Sequence, residues 1–487
     1  MEEHPQATAD ALLAALDRGL DPGDWQALRE EAHRMLDQSL DFIASVRRRP
    51  VWQPMPEEVR ARFDAGTPRD GQSLAEINDE FRRVIEPYGP GNLHPGFMGW
   101  VHGGGTVEGM LAEMLAGGLN ANLGGRDHAP IEVERQILRW MRRLFGYPDT
   151  ASGLFLTGTS LANFLAVLVA RSKTLGPDVR NSGLTTDDRL TAYASVAAHG
   201  CIRQAFEMAG MGADCLRLIA TDAAQRMDTE ALRSAIAADR AAGSAPFMII
   251  GNAGTVDTGA IDDLSLLADI AAAEAMWFHV DGAYAALGMM SPDLAPLLAG
   301  IERTDSLAFD FHKWGQVPYD AGYLLVRDGE AHRATFASPA AYLRRETRGL
   351  AGGSPWPCDF GPDLSRGFRA LKTWVTLKAH GMDRLGAAMA GTCRVARHLG
   401  RRIEAEPRLE LLAPVGLNIV CFRHRAPDAD RLNAHIVTRL HETGIAAPST
   451  TTIDGKLAIR AAIVNHRTRE SDVDRLLSAV LDLGAKQ

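Results

Sequence analysis

Trp277-Phe278-His279-Val280-Asp281-Gly282-Ala283-Tyr284 reads as a short apolar strand that runs into an acid and then a turn of small residues. The run from Trp277 to Val280 is too short for a helix, and the segments on either side alternate in kind. Upstream, Asp262 to Glu274 and Asp228 to Arg240 carry apolar residues at helical spacing, while Thr191 to Ser195, Leu216 to Ala220 and Phe247 to Ile250 are short apolar runs. Downstream, Ser306 to Phe309 and Gly322 to Val326 are two more such runs. Strands joined by connections of helix length predict crossover units and a mainly parallel sheet, an α/β class. In such a sheet, ligands belong at the carboxyl ends of the strands.

This middle section is flanked by two others. The first ninety or so residues are expected to be helical, because Leu28, Met35, Leu36, Leu40 and Ile43 recur at helical spacing before Pro50 breaks the run. Turn-forming Tyr88-Gly89-Pro90-Gly91 closes that part. A helix from about Leu364 through Arg369-Ala370-Leu371-Lys372 leads into a small α+β part, with strands at Asn418 to Phe422 and Lys456 to Ile459 and a helix at Asp428 to Glu442. The expected division is 1–90 helical, 91–380 large α/β and 381–487 small α+β.

The chain has 487 residues, 46% of them hydrophobic and 23% charged, which is a globular composition long enough for a large core. Its net charge of -9 gives no electrostatic reason to bind nucleic acid or an anionic membrane. Five cysteines, widely spaced and without a CxxC pair, suggest neither a disulfide framework nor a zinc site and fit a reducing, cytoplasmic setting. Met1-Glu2-Glu3-His4-Pro5 lacks the features of a signal peptide, and no stretch of about 18 apolar residues is present, so neither export nor a membrane span is expected.

Chemistry-bearing residues cluster just after the expected strands. Phe311-His312-Lys313-Trp314 follows Ser306 to Phe309 and places a lysine where a strand end meets a loop; alone, it could be an ordinary amphipathic lysine. Asp281 ends its own strand, where an acid could face a protonated ring nitrogen or simply cap a turn. Pairing His279 with Asp281 as metal ligands lacks a third partner, so no metal is expected.

Gly153 to Asn163, with Gly158, Thr159 and Ser160 at its centre, enters a helical pattern that continues through Arg171, and its amides and hydroxyls could cradle a phosphate or serve as a plain cap. His199 follows Thr191 to Ser195, and Asn252 follows Phe247 to Ile250. A lysine, an acid, a ring-stacking group and a phosphate cradle are the four parts that pyridoxal 5'-phosphate (PLP) chemistry needs.

The order and wording of these segments resemble the group II PLP-dependent amino-acid decarboxylases of fold type I, from His94-Pro95-Gly96-Phe97 through Met110-Leu111-Ala112-Glu113-Met114-Leu115 to the stretch from Gly361 to Lys372. The resemblance implies that Lys313 is the Schiff-base lysine, Asp281 the pyridinium partner and His199 the stacking base. It implies also that Ala283 packs near the ring, that Gly158, Thr159 and Ser160 form the phosphate loop, that His312 reaches the phosphate, and that Asn252 lies near the cofactor. The implied enzyme is a homodimer whose substrate is an amino acid, a small molecule: an N-terminal helical segment wraps the partner, and a mainly parallel PLP domain carries a small C-terminal domain. The implied reaction is α-decarboxylation to an amine and CO2.

Two departures bear on the reaction and the substrate. In the aromatic decarboxylases a mobile loop tyrosine protonates the carbanion, but no tyrosine lies between Arg344 and Arg369 here. An aldehyde synthase, an aminotransferase or another lyase therefore stands as an alternative on the same cofactor, and a non-catalytic regulatory or scaffolding protein as a second. The Gly-rich segment Gly349 to Ser354 is expected to form a flap over a neighbouring site. Where those enzymes supply aromatic pocket residues, this chain reads Leu123-Gly124-Gly125-Arg126-Asp127-His128, which favours a polar substrate side chain.

Overall fold

The computed structural model describes residues 19–185, 187–338 and 345–486. They fall into two compact units, one made of residues up to Arg49 with Gln53–Pro90, the other of Pro50–Trp52 with Gly91 onward.

In the first unit the expected helix spans Trp25–Ala44, capped by the Asp24 carboxylate on the amides of Gln26 and Ala27. A second helix, Leu74–Glu80, starts in a Ser73/Glu76 capping box. Asn78 on this helix donates to Glu31 (3.1 Å) and Gln38 (2.9 Å) on the first. None of the residues of Trp25–Ala44 is buried, so polar contacts rather than a core join the two helices.

The second unit holds two sheets. Their strands are β1 (Phe97–Met98), β2 (Ser152–Leu156), β3 (Leu190–Ser195), β4 (Leu216–Ile219), β5 (Ala245–Asn252), β6 (Trp277–Asp281), β7 (Ser306–Asp310), β8 (Gly322–Val326), β9 (Leu409–Leu411), β10 (Ile419–His424), β11 (Ala447–Ile453) and β12 (Lys456–Ala462). The larger sheet has seven strands in the order β2-β8-β7-β6-β5-β3-β4. Pairing is parallel from β4 through β7, and β8 runs against both β7 and β2. The carboxyl ends of β2, β3, β5, β6 and β7 therefore share one edge.

The alternation of side chains explains why these strands read as continuous apolar runs. Tyr193, Ile249, Phe278, Val280, Leu307 and Phe309 point into one buried cluster, which includes residues of the helices Ala129–Phe145 and Leu264–Ala273. Ala192, Ala194, Met248, Ile250, Trp277 and Ala308 point into the other, with residues of the helix Thr159–Leu175. With both faces covered, neither can be polar.

Three differences from the sequence reading have physical causes. Gly153 to Leu156, read as the entry to a helix, is strand β2, which pairs along its length with β8. Its apolar residues are contiguous, so periodicity alone could not separate strand from helix. Strand β11 escaped notice because it is rich in serine and threonine, with half-exposed residues on one face. The helix expected from Leu364 begins at Arg369, runs to Glu404 and is broken at Gly381, where the backbone turns to φ 71°.

The smaller sheet, β1-β11-β12-β10-β9, draws its edge strand from Phe97–Met98, far upstream in the chain. That pairing fixes the segment that follows, Gly99 to Gly105, beside the large sheet's functional edge. Among the described residues no helix is long and apolar enough to cross a membrane. All five cysteines are free.

Candidate active site

Register brings the strand-end residues together. Asn252 on β5 pairs with Asp281 on β6, and Asp281 pairs with Ala308 on β7, so the polar ends of three adjacent strands lie side by side. On the same edge, β2 leads through Thr157-Gly158 into the helix Thr159–Leu175. Gly322, the first residue of β8, lies directly against Gly158, and a side chain there would strike the Gly158 backbone. This close approach seats the start of the helix on the sheet edge.

A cavity of about 340 Å³ opens there. Every residue assigned to the cofactor in the sequence lines it: Gly158, Thr159, Ser160, His199, Asn252, Asp281, Ala283, His312 and Lys313. Lys313 sits one turn past β7 with its amine 3.1 Å from Asp310 Oδ2. The other oxygen of Asp310 accepts the Thr159 amide at 2.8 Å. His312 accepts the Ala321 amide on Nδ1 at 3.0 Å, and its Nε2 lies 3.6 Å from Asp310. Burial pulls the His312 imidazole below its ordinary pKa.

Asp281 is buried at the end of a polar chain. The Asn163 amide donates to Asp281 Oδ2 at 3.1 Å, and the Asn163 carbonyl accepts from His279 Nε2 at 2.9 Å. His279 Nδ1 then accepts from Ser306 Oγ at 2.8 Å, and Trp277 Nε1 donates to the same oxygen at 2.8 Å. Burial drives the His279 pKa down to about 3, so the ring is neutral and its two nitrogens hold fixed, opposite roles. The chain ends on a carboxyl that burial pushes above its ordinary pKa, although Lys313, the Ala283 amide, His199 and Asn163 all favour its ionised form. A cation set against Asp281 would relieve that burial cost.

His199, exposed at the cavity, accepts the Cys201 amide on Nδ1 at 3.2 Å. Asn252 is held by Ser195 (3.2 Å) and by the Asp262 carboxylate (3.0 Å). Thr159 Oγ1 is buried and has no hydrogen-bond partner among the described residues. A free hydroxyl at the first residue of a 17-residue helix is a donor aimed at a missing acceptor, which suits a phosphate.

The same cavity holds groups that the sequence reading passed over. Asp310 ends β7 as Asp281 ends β6, a signal that could have been found. Trp100, His102 and Tyr319 also line the cavity, and nothing local marks them. By contrast, Leu123 to His128 does not reach this cavity. Gly125 lies against the Trp356 ring, Arg126 covers that ring at 4.6 Å, and Arg345 covers it at 4.2 Å. Gly349 to Ser354 is tied to the same centre, since the Gly352 carbonyl accepts from Trp356 Nε1 (2.7 Å) and the Gly353 carbonyl from Arg135 (2.5 Å).

Residues 56–425 match the family described as the pyridoxal-dependent decarboxylase conserved domain. The chain belongs to this family. Among its relatives, the aromatic-L-amino-acid decarboxylase of Bacillus atrophaeus is 29% identical over 93% of this chain and 95% of its own length. The L-2,4-diaminobutyrate decarboxylase of Rhizobium meliloti is 33% identical over 85% of this chain and 82% of its own. The crystal structure of Oryza sativa TDC with PLP and tryptamine superposes with a TM-score of 0.86 at 25% identity, covering 96% of this chain and 99% of that one. The fold is accordingly fold type I, and the cofactor of this pyridoxal-dependent decarboxylase is PLP. The residues present fit it: an amine on Lys313, a buried acid wanting a cation, and an unbonded hydroxyl at a helix start.

Proposed function

We propose that the chain removes the α-carboxyl group of an L-amino acid as CO2 and releases the amine. The observation that carries this reading is the convergence of Lys313, Asp281, His199 and the Gly158-Thr159-Ser160 turn on one cavity whose described lining contains no arginine. Lys313 would carry the cofactor covalently, Asp281 would face its ring nitrogen, and His199 would stack on its ring beside Ala283 and Asn252. Thr159, Ser160, the Gly158 backbone and His312 would hold its phosphate. Once bound, PLP supplies an electron sink for the pair left at Cα when CO2 departs.

Asp281, oriented by Asn163, which His279 holds in turn, would keep a proton at the ring nitrogen and so deepen that sink. Asp310 holds the proton of the Lys313 amine. A carboxylate bound by a guanidinium would be stabilised as an anion and would leave more slowly. In this chain Arg460, buried beside the cavity wall, is spent on the carbonyls of Val256 and Gly99 instead. The lining therefore favours loss of CO2 over retention of the carboxylate, which sets decarboxylation ahead of transamination.

The active unit in this reading is a homodimer in the cytoplasm. The exposed side chains of Met114, Leu115 and Leu119, all on the helix Val107–Leu119, support a covered face. The test is a screen of L-amino acids for CO2 release by the PLP-loaded protein. Amine and CO2 in equal amounts are expected. Failure to release CO2 from any amino acid would refute the reading, and ammonia with hydrogen peroxide in place of amine would turn it into an aldehyde synthase.

A further inference from the structure

His102 lies in the active cavity but has no part in holding the cofactor or the Lys313 proton. Its ring stacks near Phe97 (5.7 Å, 12° between planes) and Trp100 (5.9 Å), and meets the edge of Tyr319 at 5.7 Å. Tyr319 in turn packs on His312, with ring centroids 4.2 Å apart. The rings of Trp100, His102, Tyr319 and His312 form one wall of the cavity, with buried Phe97 packed against His102. Among the described residues neither nitrogen of His102 has a hydrogen-bond partner, and its one electrostatic neighbour is Lys313.

The glycines after His102 explain why the ring stays in place. Gly103 lies so close to the carbonyls of His312 and Lys313 that any side chain there would collide with them. The Gly103 carbonyl accepts from Asn92 (3.0 Å), and the Gly104 amide donates to Gln316 (3.0 Å). Arg467 donates to the carbonyls of Gly104 (2.8 Å) and Gly105 (3.1 Å). The strap is thus seated against the Lys313 loop at Gly103, bonded to that loop through Gln316 and fastened on its other sides by Asn92 and Arg467, so the imidazole it presents cannot easily withdraw.

We propose that His102 recognises the end of the substrate side chain by accepting a hydrogen bond from an ammonium group, so that the preferred substrate is a diamino acid. This rests on the reading that the cavity turns over an α-amino acid. Burial first, and the charge of Lys313 second, hold the imidazole below its ordinary pKa, which leaves it neutral and able to accept. The faces of Trp100 and Tyr319 suit a cation as well. An acidic side chain would find a neutral N–H on His102 but no free cation, because Lys313 is the only lysine in the described lining, arginine is absent, and the acids Asp281 and Asp310 lie there. A hydrocarbon ring would leave the imidazole unpaired, at a cost that a donor avoids.

The test uses the PLP-loaded enzyme with L-2,4-diaminobutyrate, L-phenylalanine and L-glutamate, in wild type and in His102→Phe and His102→Gln. Two readouts are taken for each: the substrate concentration that half-saturates the change in cofactor absorbance, and CO2 release. Wild type is expected to bind diaminobutyrate at least about tenfold more tightly than either other amino acid, the size of one hydrogen bond to a charged group. His102→Phe should erase most of that preference, and His102→Gln, which keeps an acceptor oxygen, should retain more of it. Equal or tighter binding of glutamate or phenylalanine by wild type, or a preference untouched in His102→Phe, overturns the proposal. Selective absorbance changes without CO2 from any substrate would instead refute decarboxylation and leave the recognition by His102 standing.

Discussion

Two parts of the second unit look alike in sequence and behave differently in the structure. The strand ends that carry Asn252, Asp281 and Lys313 and the loops at Leu123 to His128 and Gly349 to Ser354 both combine small, polar and charged residues. The first set forms a cavity; the second closes around Trp356, which is buried, bonded to Gly352 and covered by two guanidinium groups. Strand ends are placed by ladder hydrogen bonds that run the length of the sheet, so an apolar run followed by a polar residue already locates the site. Loops are placed by a few side chains distant in sequence, and no local pattern announces which ring they will wrap.

This contrast makes the two regions separable by mutation. The largest effect is expected at the strand ends: Lys313→Ala should lose turnover by orders of magnitude while keeping the melting temperature of the cofactor-free protein within a few degrees. A variant with substantial turnover would dissolve the distinction. Trp356→Ala should do the opposite, lowering unfolding free energy in urea by about 3 to 5 kcal/mol, the usual cost of emptying a large aromatic site. If this variant unfolds normally but no longer takes up PLP, the Trp356 region belongs to the site after all.

A smaller effect is expected from the polar chain behind the acid. Asn163→Ala removes the donor to Asp281 Oδ2 and leaves that oxygen unpaired in a buried place, worth about 1 to 3 kcal/mol, or roughly tenfold to a hundredfold in cofactor affinity. Titration of the cofactor-free variant with PLP checks this. An unchanged affinity would mean that Asp281 is oriented by the Ala283 amide alone.

The smallest effect is a pH dependence. Burial raises the Asp281 pKa in the folded chain, so the folded state keeps its proton where the unfolded chain has lost it. Stability from this group is complete below the ordinary value of about 4 and is lost as pH rises through the raised value. Without cofactor, Asp281→Asn should therefore gain melting temperature over wild type as pH rises from about 4 toward neutrality. A gap that stays constant, or shrinks, with rising pH would contradict the desolvated carboxyl.

Much of this was legible in the residues. The strands from Thr191 to Val326 were visible because both faces of the sheet are covered and their apolar runs end abruptly at Ser195, Asn252 and Asp281. Asp310 was missed because the reading of β7 stopped at Phe309, one residue short of the acid that pairs with Lys313. His102 and Tyr319 were invisible for another reason. His102 reaches the cavity because Phe97–Met98 joins the small sheet through β11, a pairing between residues some 350 positions apart, whereas Tyr319 lies on the loop between β7 and β8 that also carries Lys313. Leu123 to His128, from which a polar substrate was expected, do not line the cavity, whose side-chain wall is Trp100, His102 and Tyr319.

The assignment of the active site turns on which amine carries the cofactor. Borohydride reduction of the PLP-loaded protein, followed by proteolysis and mass mapping of the pyridoxyl adduct, reads that directly. The expected result is a single adduct on the peptide containing Phe311-His312-Lys313-Trp314, at Lys313. An adduct on any other lysine, or PLP recovered entirely unattached, would contradict the account.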